Sequence, residues 1–151
     1  MGGNVDAFRV WADIEVRFRD TDAMGHVNNA VFLTYLEVAR QTYWQRVDPG
    51  RSYDRVPFIL AHAGIDFRRP VTLNDAPRVY VTVLWVGKSS FAMRYVVRAR
   101  DRDVLFADAE TVMVTFDYEA DRSIPVPESL RRAFEAIEGR ALPSKPTTAA
   151  R

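Results

Sequence analysis

Residues 10–47 read VWADIEVRFRDTDAMGHVNNAVFLTYLEVARQTYWQRV, and this stretch decides the architecture. Its first ten residues alternate: Ile14, Val16 and Phe18 are apolar, while Asp13, Glu15, Arg17 and Arg19 are charged. A period of two sends successive side chains to opposite faces, so residues 10–19 predict a strand with one buried face. From residue 29 the period changes. Phe32, Tyr35, Leu36, Ala39, Tyr43 and Val47 recur at helical spacing, which predicts a long helix over 29–47. Asn28 is suited to cap it, with Val27 and Phe32 at the positions of a hydrophobic staple. Pro49-Gly50 ends it. Between strand and helix lies a polar, turn-like loop, Asp20-Thr21-Asp22-Ala23-Met24-Gly25-His26-Val27-Asn28-Asn29.

Downstream, residues 48–57 form a loop rich in Asp, Arg, Pro and Gly. Four β-rich runs follow: Phe58 to Phe67 with an interruption expected near Gly64, Val79 to Val86, Phe91 to Arg100, and Val104 to Phe116. Lys88-Ser89-Ser90 is a tight connection, and such short turns imply antiparallel pairing. Pro127 opens a short amphipathic helix to about Glu138, with Leu130, Phe134 and Ile137 on one face. One long helix against one antiparallel sheet is an α+β architecture in which the sheet wraps the helix. Residues 1–138 are expected to form a single domain, and residues 139–151 (GRALPSKPTTAAR) a disordered tail.

Composition narrows the function. The 151 residues carry 21 Lys+Arg against 20 Asp+Glu, a net charge of +1. No global field draws such a chain to nucleic acid or to an anionic membrane, so any phosphate binding must be local. There is no cysteine, which excludes disulfides, thiolate metal sites and cysteine nucleophiles. His26 and His62 are the only histidines, so a multi-histidine metal site is not expected. No targeting segment or membrane-length apolar run is visible, and a soluble cytoplasmic protein is the expectation.

Chemistry is expected in the 20–29 loop, where carboxylates meet the start of a helix. Helix starts leave N–H groups without intrahelical partners, and the macrodipole adds positive potential. Such a place can hold a developing oxyanion. Calcium is rejected, because an EF-hand loop begun at Asp20 would put Met24 at its fifth position and Val31 at its twelfth. Gly87-Lys88-Ser89 echoes a phosphate-binding loop, but Thr82 stands where the upstream glycine belongs. The Asp20-x-Asp22-x-x-x-His26 spacing could seed a metal site, but the sequence does not supply the remaining ligands, and no metal is expected. Asp20 reads as a turn residue, Glu37 as a partner of Arg40 or Gln41 on the helix surface, and His62 as a core or interface residue.

The run Asp20-x-Asp22-x-x-Gly25-His26-Val27-Asn28-Asn29, followed by Tyr35-Leu36-Glu37-Val38-Ala39-Arg40 within the helix, resembles the hotdog-fold acyl-CoA thioesterases. It is most similar to the 4-hydroxybenzoyl-CoA thioesterase group, including the Tol-Pal-associated type, over about residues 10–120. The resemblance implies a hotdog fold and hydrolysis of an acyl-CoA, or acyl-carrier-protein, thioester. It implies a homodimer or homotetramer with sheets joined edge to edge and active sites at the dimer interface. Asp22 then matches the catalytic carboxylate, and Asn29 the position whose backbone N–H faces the thioester oxygen. His26 completes the implied catalytic set. Asn28 joins the substrate-binding set with Lys88, Ser89 and Ser90, which match a turn that contacts CoA phosphates; Arg68 and Arg69 are other candidates for that contact. No cofactor is implied beyond the CoA of the substrate. A non-catalytic acyl-CoA-binding protein and a hotdog dehydratase or hydratase are the competing functions.

The chemistry suits this inventory. A thiol leaving group with a pKa near ~8.5 needs little acid assistance, and a carboxylate with a pKa of ~3.9 is ionised at neutral pH. One carboxylate, as nucleophile or general base, and one oxyanion donor are therefore enough.

Overall fold

The structure, a computed structural model, describes residues 3–50 and 56–147. Strands β1 (Val10–Asp13), β2 (Phe58–Phe67), β3 (Pro77–Val86), β4 (Ser90–Ala99), β5 (Leu105–Asp117) and β6 (Arg122–Ser123) accompany helices α1 (Val31–Val47) and α2 (Glu128–Glu138). The sheet runs β1-β3-β4-β5-β2, with β6 added to β5, and every pairing is antiparallel. The core joins Phe32, Leu36, Ala39 and Tyr43 of α1 to alternate residues of the strands, such as Val79, Val81, Val83, Met93 and Val97. Each large apolar side chain buried this way contributes about 1.5–3 kcal/mol. This is the expected α+β hotdog arrangement, a long helix wrapped by an antiparallel sheet.

Aromatic side chains fasten the two helices to the sheet. Phe91 of β4 lies 5.5 Å from Phe58 of β2 and 4.9 Å from Phe134 of α2, and Trp44 of α1 lies 5.1 Å from Phe58. A buried carboxylate ties the same elements. Glu138, at the end of α2, accepts hydrogen bonds from Tyr43 Oη (2.6 Å), Thr82 Oγ1 (2.6 Å) and Val83 N (3.0 Å). Burial, and then the Glu138 charge, push the Tyr43 phenol well above its ordinary range.

The structure corrects several local expectations. β1 stops at Asp13 rather than Arg19. Ile14 and Val16 stay buried, but residues 18–20 wind into a 3₁₀ turn, and this loss of period two leaves Phe18 80% exposed. α1 starts at Val31, two residues late, after a turn at 28–30. β2 runs through Gly64; its irregularity falls between Leu60 and His62. β6 was not foreseen.

Residues 139–147, expected to be a free tail, lie on the body. Leu142 is buried, its N–H donates to Glu135 Oε2 at 2.8 Å, and Arg131 bridges the carbonyls of Leu142 and Val86. The Val86 N–H donates to the Pro143 carbonyl at 3.0 Å. A short, small-residue and Pro-containing composition conceals these anchors. Residues 51–55 of the expected loop and 148–151 of the expected tail lie outside the described residues.

Two edges remain. β1 is four residues long, whereas β2 has ten, and its residues after Phe58 are exposed or half-buried along their whole length. Ile59, Leu60 and Phe67 stand among the exposed large apolar side chains. A long apolar edge with unpaired backbone groups is a template for another strand. Among the described residues, no helix is long and apolar enough to cross a membrane.

Candidate active site

The 20–29 loop closes on itself as a small ladder. Asn28 N–H donates to the Asp20 carbonyl (2.8 Å), Thr21 bridges Val27, and Asp22 N–H donates to the His26 carbonyl (2.8 Å). The turn at its tip uses Gly25 at φ +81°, a conformation that glycine adopts without steric cost. The open side of the loop is braced by residues 71–75. Val27 N–H donates to the Val71 carbonyl at 2.7 Å, and His26 bridges Thr72. Asp75 in turn accepts hydrogen bonds from Thr72 N and Thr72 Oγ1, at 2.7 and 3.1 Å.

Asp22 is half-buried on the ladder. Its Oδ1 accepts the N–H groups of Met24 (2.9 Å) and His26 (3.3 Å), which fixes the carboxyl plane. Among the described residues none donates to Oδ2. Opposite, Asn28 is not the helix cap expected from sequence, because α1 begins at Val31 behind Ala30; it instead shapes the preceding turn, its Oδ1 accepting the Ala30 N–H at 3.0 Å and its carbonyl the Val31 N–H at 2.8 Å. The Asn29 N–H has no acceptor among the described residues.

These groups line one open cleft of about 350 Å³. Asp22, His26, Asn28 and Asn29 share it with Met24 and Phe32 of the loop and helix, and with Phe67, Arg68, Arg69 and Pro70 at the end of β2. Four of the seven site residues expected from sequence are thus brought together. Phe32 and Phe67 meet edge to face at 5.1 Å and form the apolar wall. Arg68 is engaged by Asp108 at 3.0 Å and Asp66 at 3.7 Å, whereas Arg69 makes no ion pair among the described residues. Phe67 and Pro70 were missed as site residues. No local motif marks them, because only the sheet order brings the end of β2 against the loop.

Lys88, Ser89 and Ser90 are not in this cleft. Ser90 and Ile59 both pair with Val114, near the start of β2, whereas Phe67 pairs with Ala107. Seven residues along β5 correspond to about 24 Å at the ordinary strand rise. In this chain the turn's carbonyls serve the fold: that of Lys88 accepts Val126 N–H, and that of Ser89 accepts Thr115 N–H. His62 is exposed on the β2 edge, which excludes the core reading but not the interface one, and Glu37 is exposed on α1. Among the described residues, no group of three or more His, Asp or Glu is gathered as a metal site.

Asp20, by contrast, is 2% exposed and is not among the residues that line the cleft. Its carboxylate accepts Tyr35 Oη at 2.8 Å, Arg17 N at 3.0 Å and Arg17 Nη2 at 3.2 Å. Burial works to raise its pKa, but the hydrogen bonds from Arg17 N–H, Tyr35 and the Arg17 guanidinium outweigh it and hold Asp20 below the usual aspartate range. Burial, with the Asp20 charge beside it, pushes the Tyr35 phenol upward.

Comparison with known proteins places this geometry in context. Residues 16–134 match the thioesterase-like superfamily. The fold superposes on the crystal structure of a thioesterase from Thermus thermophilus, solved with coenzyme A and Zn. That match has a TM-score of 0.83 and 39% identity, and covers 91% of this chain and 99% of that one. The long-chain acyl-CoA thioesterase FadM of Escherichia coli is 26% identical, over 82% of this chain and 96% of its own length. A 1,4-dihydroxy-2-naphthoyl-CoA hydrolase of Rippkaea orientalis is 28% identical, over 82% and 93% respectively.

Proposed function

From the premise that the chain belongs to the thioesterase-like superfamily, we propose that it hydrolyses acyl-CoA thioesters in the cleft at Asp22. The observation that carries this is a pairing. A carboxylate with one oxygen held by two backbone N–H groups and the other undonated shares a cleft with an unpartnered N–H at the entry to a long helix. The thioester carbonyl carbon sits at Asp22 Oδ2, and its oxygen points to the Asn29 N–H. Asp22 either takes a proton from water as that water attacks, or attacks the carbonyl itself to give a mixed anhydride that water then cleaves. Negative charge gathers on the carbonyl oxygen, where the Asn29 N–H and the helix start stabilise it. The C–S bond breaks, and the thiolate, a good leaving group, is protonated to the free thiol. His26 and Asn28 border the substrate, and Phe32 and Phe67 give the acyl group an apolar wall. The route calls on no cofactor beyond the CoA of the substrate.

We further propose that the working unit is at least a homodimer joined along β2. Two identical edges pairing antiparallel about a two-fold axis bring the Phe58 end of one β2 to the Phe67 end of the other. The partner's Lys88–Ser90 turn would then approach this chain's cleft, beside Arg69. That arrangement reconciles a phosphate-contacting role for the turn with its distance from Asp22 within one chain.

A thiol-release assay across short, long and aromatic acyl-CoAs tests the activity. Release from at least one member supports the hydrolase reading. Tight binding of acyl-CoA without release from any would make the chain a binder instead.

A further inference from the structure

We infer that Asp20 is a positioning residue: through Tyr35 and Arg17 it sets the distance between the Asp22 carboxylate and the Asn29 N–H. The inference rests on the hydrolase reading above and concerns a group that this chemistry does not otherwise use.

The loop that carries both reacting groups is a ladder, and Asp20 is its base. Its main chain closes the ladder, because the Asp20 carbonyl accepts Asn28 N–H at 2.8 Å. Asp22 follows two residues later on one arm, and Asn29 directly follows Asn28 on the other. The Asp20 side chain then fixes that base to the body in two directions. Oδ2 accepts Tyr35 Oη at 2.8 Å, which ties it to the second turn of α1. The same atom accepts Arg17 N–H at 3.0 Å, which ties it to the chain entering from β1. Tyr35 and Asp20 are both buried, so this hydrogen bond is shielded from water, and losing the Asp20 carboxylate leaves the buried Tyr35 hydroxyl unpaired. The Arg17 guanidinium, 61% exposed, adds a weaker contact to Oδ1 at 3.2 Å.

A turn-forming role alone does not require this arrangement. A turn aspartate commonly bonds backbone two residues onward, as Asp22 does with Met24. Asp20 instead reaches fifteen residues forward to a phenol on the helix whose start supplies the oxyanion donor. One residue, through its side chain and its carbonyl, thereby links the chain entering from β1, the helix and both arms of the loop. A displacement at that base alters the separation of carboxylate and donor, to which reaction geometry is steeply sensitive.

The test uses the full chain and the best acyl-CoA from the panel, with Tyr35→Phe, Asp20→Asn, Asp20→Ala and the Tyr35→Phe/Asp20→Ala double variant. Tyr35→Phe removes one hydroxyl from a site that otherwise keeps its shape. It is expected to lower kcat roughly tenfold with KM within about twofold. Asp20→Ala is expected to lose on the order of 10²-fold in kcat. Asp20→Asn, which keeps an acceptor, recovers most of that loss, and the double variant is no worse than Asp20→Ala because both lesions break one bond. Circular dichroism and thermal melts supply the folded fraction against which kcat is normalised. Unchanged kcat in folded Tyr35→Phe, a loss carried by KM, or losses that multiply in the double variant would each overturn the inference. If Asp20→Ala does not fold, Tyr35→Phe and Asp20→Asn decide the matter. An inactive wild type overturns the hydrolase reading and this inference with it; an active wild type with unaffected variants overturns this inference alone.

Discussion

Two sides of one loop, separated by two residues of chain, have opposite characters. On the inner side, Asp20 is buried, its oxygens accept three hydrogen bonds, and it bonds a helix residue fifteen positions away. On the outer side, Asp22 is half-buried, its carboxylate tied only to its own turn, and left with an oxygen to which no described residue donates. The same side-chain chemistry is saturated in one place and available in the other. The contrast teaches where to look for reactivity: a carboxylate whose partners are all protein groups supports structure, and one held in place but incompletely partnered is ready to meet a substrate.

The sharpest way to break that comparison is to remove each carboxylate's charge in turn. Asp22→Asn is expected to cost about 10²–10⁴-fold in thiol release, the usual scale for a positioned acid–base group, with the fold unchanged by circular dichroism. Asp20→Asn is expected to cost far less under the same assay. Equal losses would erase the distinction between the two sides.

Next in size is the donor. Proline at position 29 deletes an N–H that bonds nothing within the described chain, two residues ahead of the first helical residue Val31, so no backbone hydrogen bond is lost. Asn29→Pro should lower turnover about 10²–10³-fold, the cost of losing one oxyanion donor. Asn29→Ala keeps the N–H and should cost only a few-fold. Initial rates for the folded pair measure the difference, and equal damage by both would move the function to the side chain.

The open side also faces the proposed partner. Mixing inactive Asp22→Asn protomers with Lys88→Ala protomers should restore activity beyond the sum of the two, because one cleft of each mixed dimer then has both groups intact. Activity that only averages would place the Lys88 turn outside the cleft.

The inner side is also read in stability, where its effect is modest. Asp20→Ala strands Tyr35 Oη and Arg17 N–H and should reduce stability by about 1–3 kcal/mol in denaturant titration. Its pH dependence has a definite sign. The folded-state pKa of Asp20 lies below its unfolded value near ~3.9, so its contribution is complete above that value and is lost as pH falls through the folded pKa. The acid limb of stability should therefore be shallower in Asp20→Asn than in the wild type.

Much of this was legible in the sequence, for physical reasons that differ by element. α1 carries a long apolar stripe, and Phe32, Leu36, Ala39 and Tyr43 are all buried, so local pattern and tertiary packing agree; the Asn28 cap and Val27–Phe32 staple did not carry over, because the helix begins later, behind Ala30. The Asp22–Asn29 constellation was legible because loop and helix start adjoin in sequence. Phe18 misled, since its place in an alternating run gives no warning that residues 18–20 wind into a turn. Phe67 and Pro70 could not be seen as site residues, because a sheet order of β1-β3-β4-β5-β2 brings them to the loop from some forty residues away. The tail misled for the converse reason: one buried leucine and a few hydrogen bonds hold a segment whose composition reads as loose.

The most direct test of the account is to watch the carbonyl itself. A ¹³C-labelled acyl-CoA bound to Asp22→Asn, in which turnover is slowed, should show its thioester stretch in isotope-edited infrared spectra at lower frequency than in water. In the Asp22→Asn/Asn29→Pro double variant, with binding confirmed by calorimetry, that shift should disappear. The same carbonyl band in both proteins would contradict the claim that the Asn29 N–H receives the charge that Asp22 helps create.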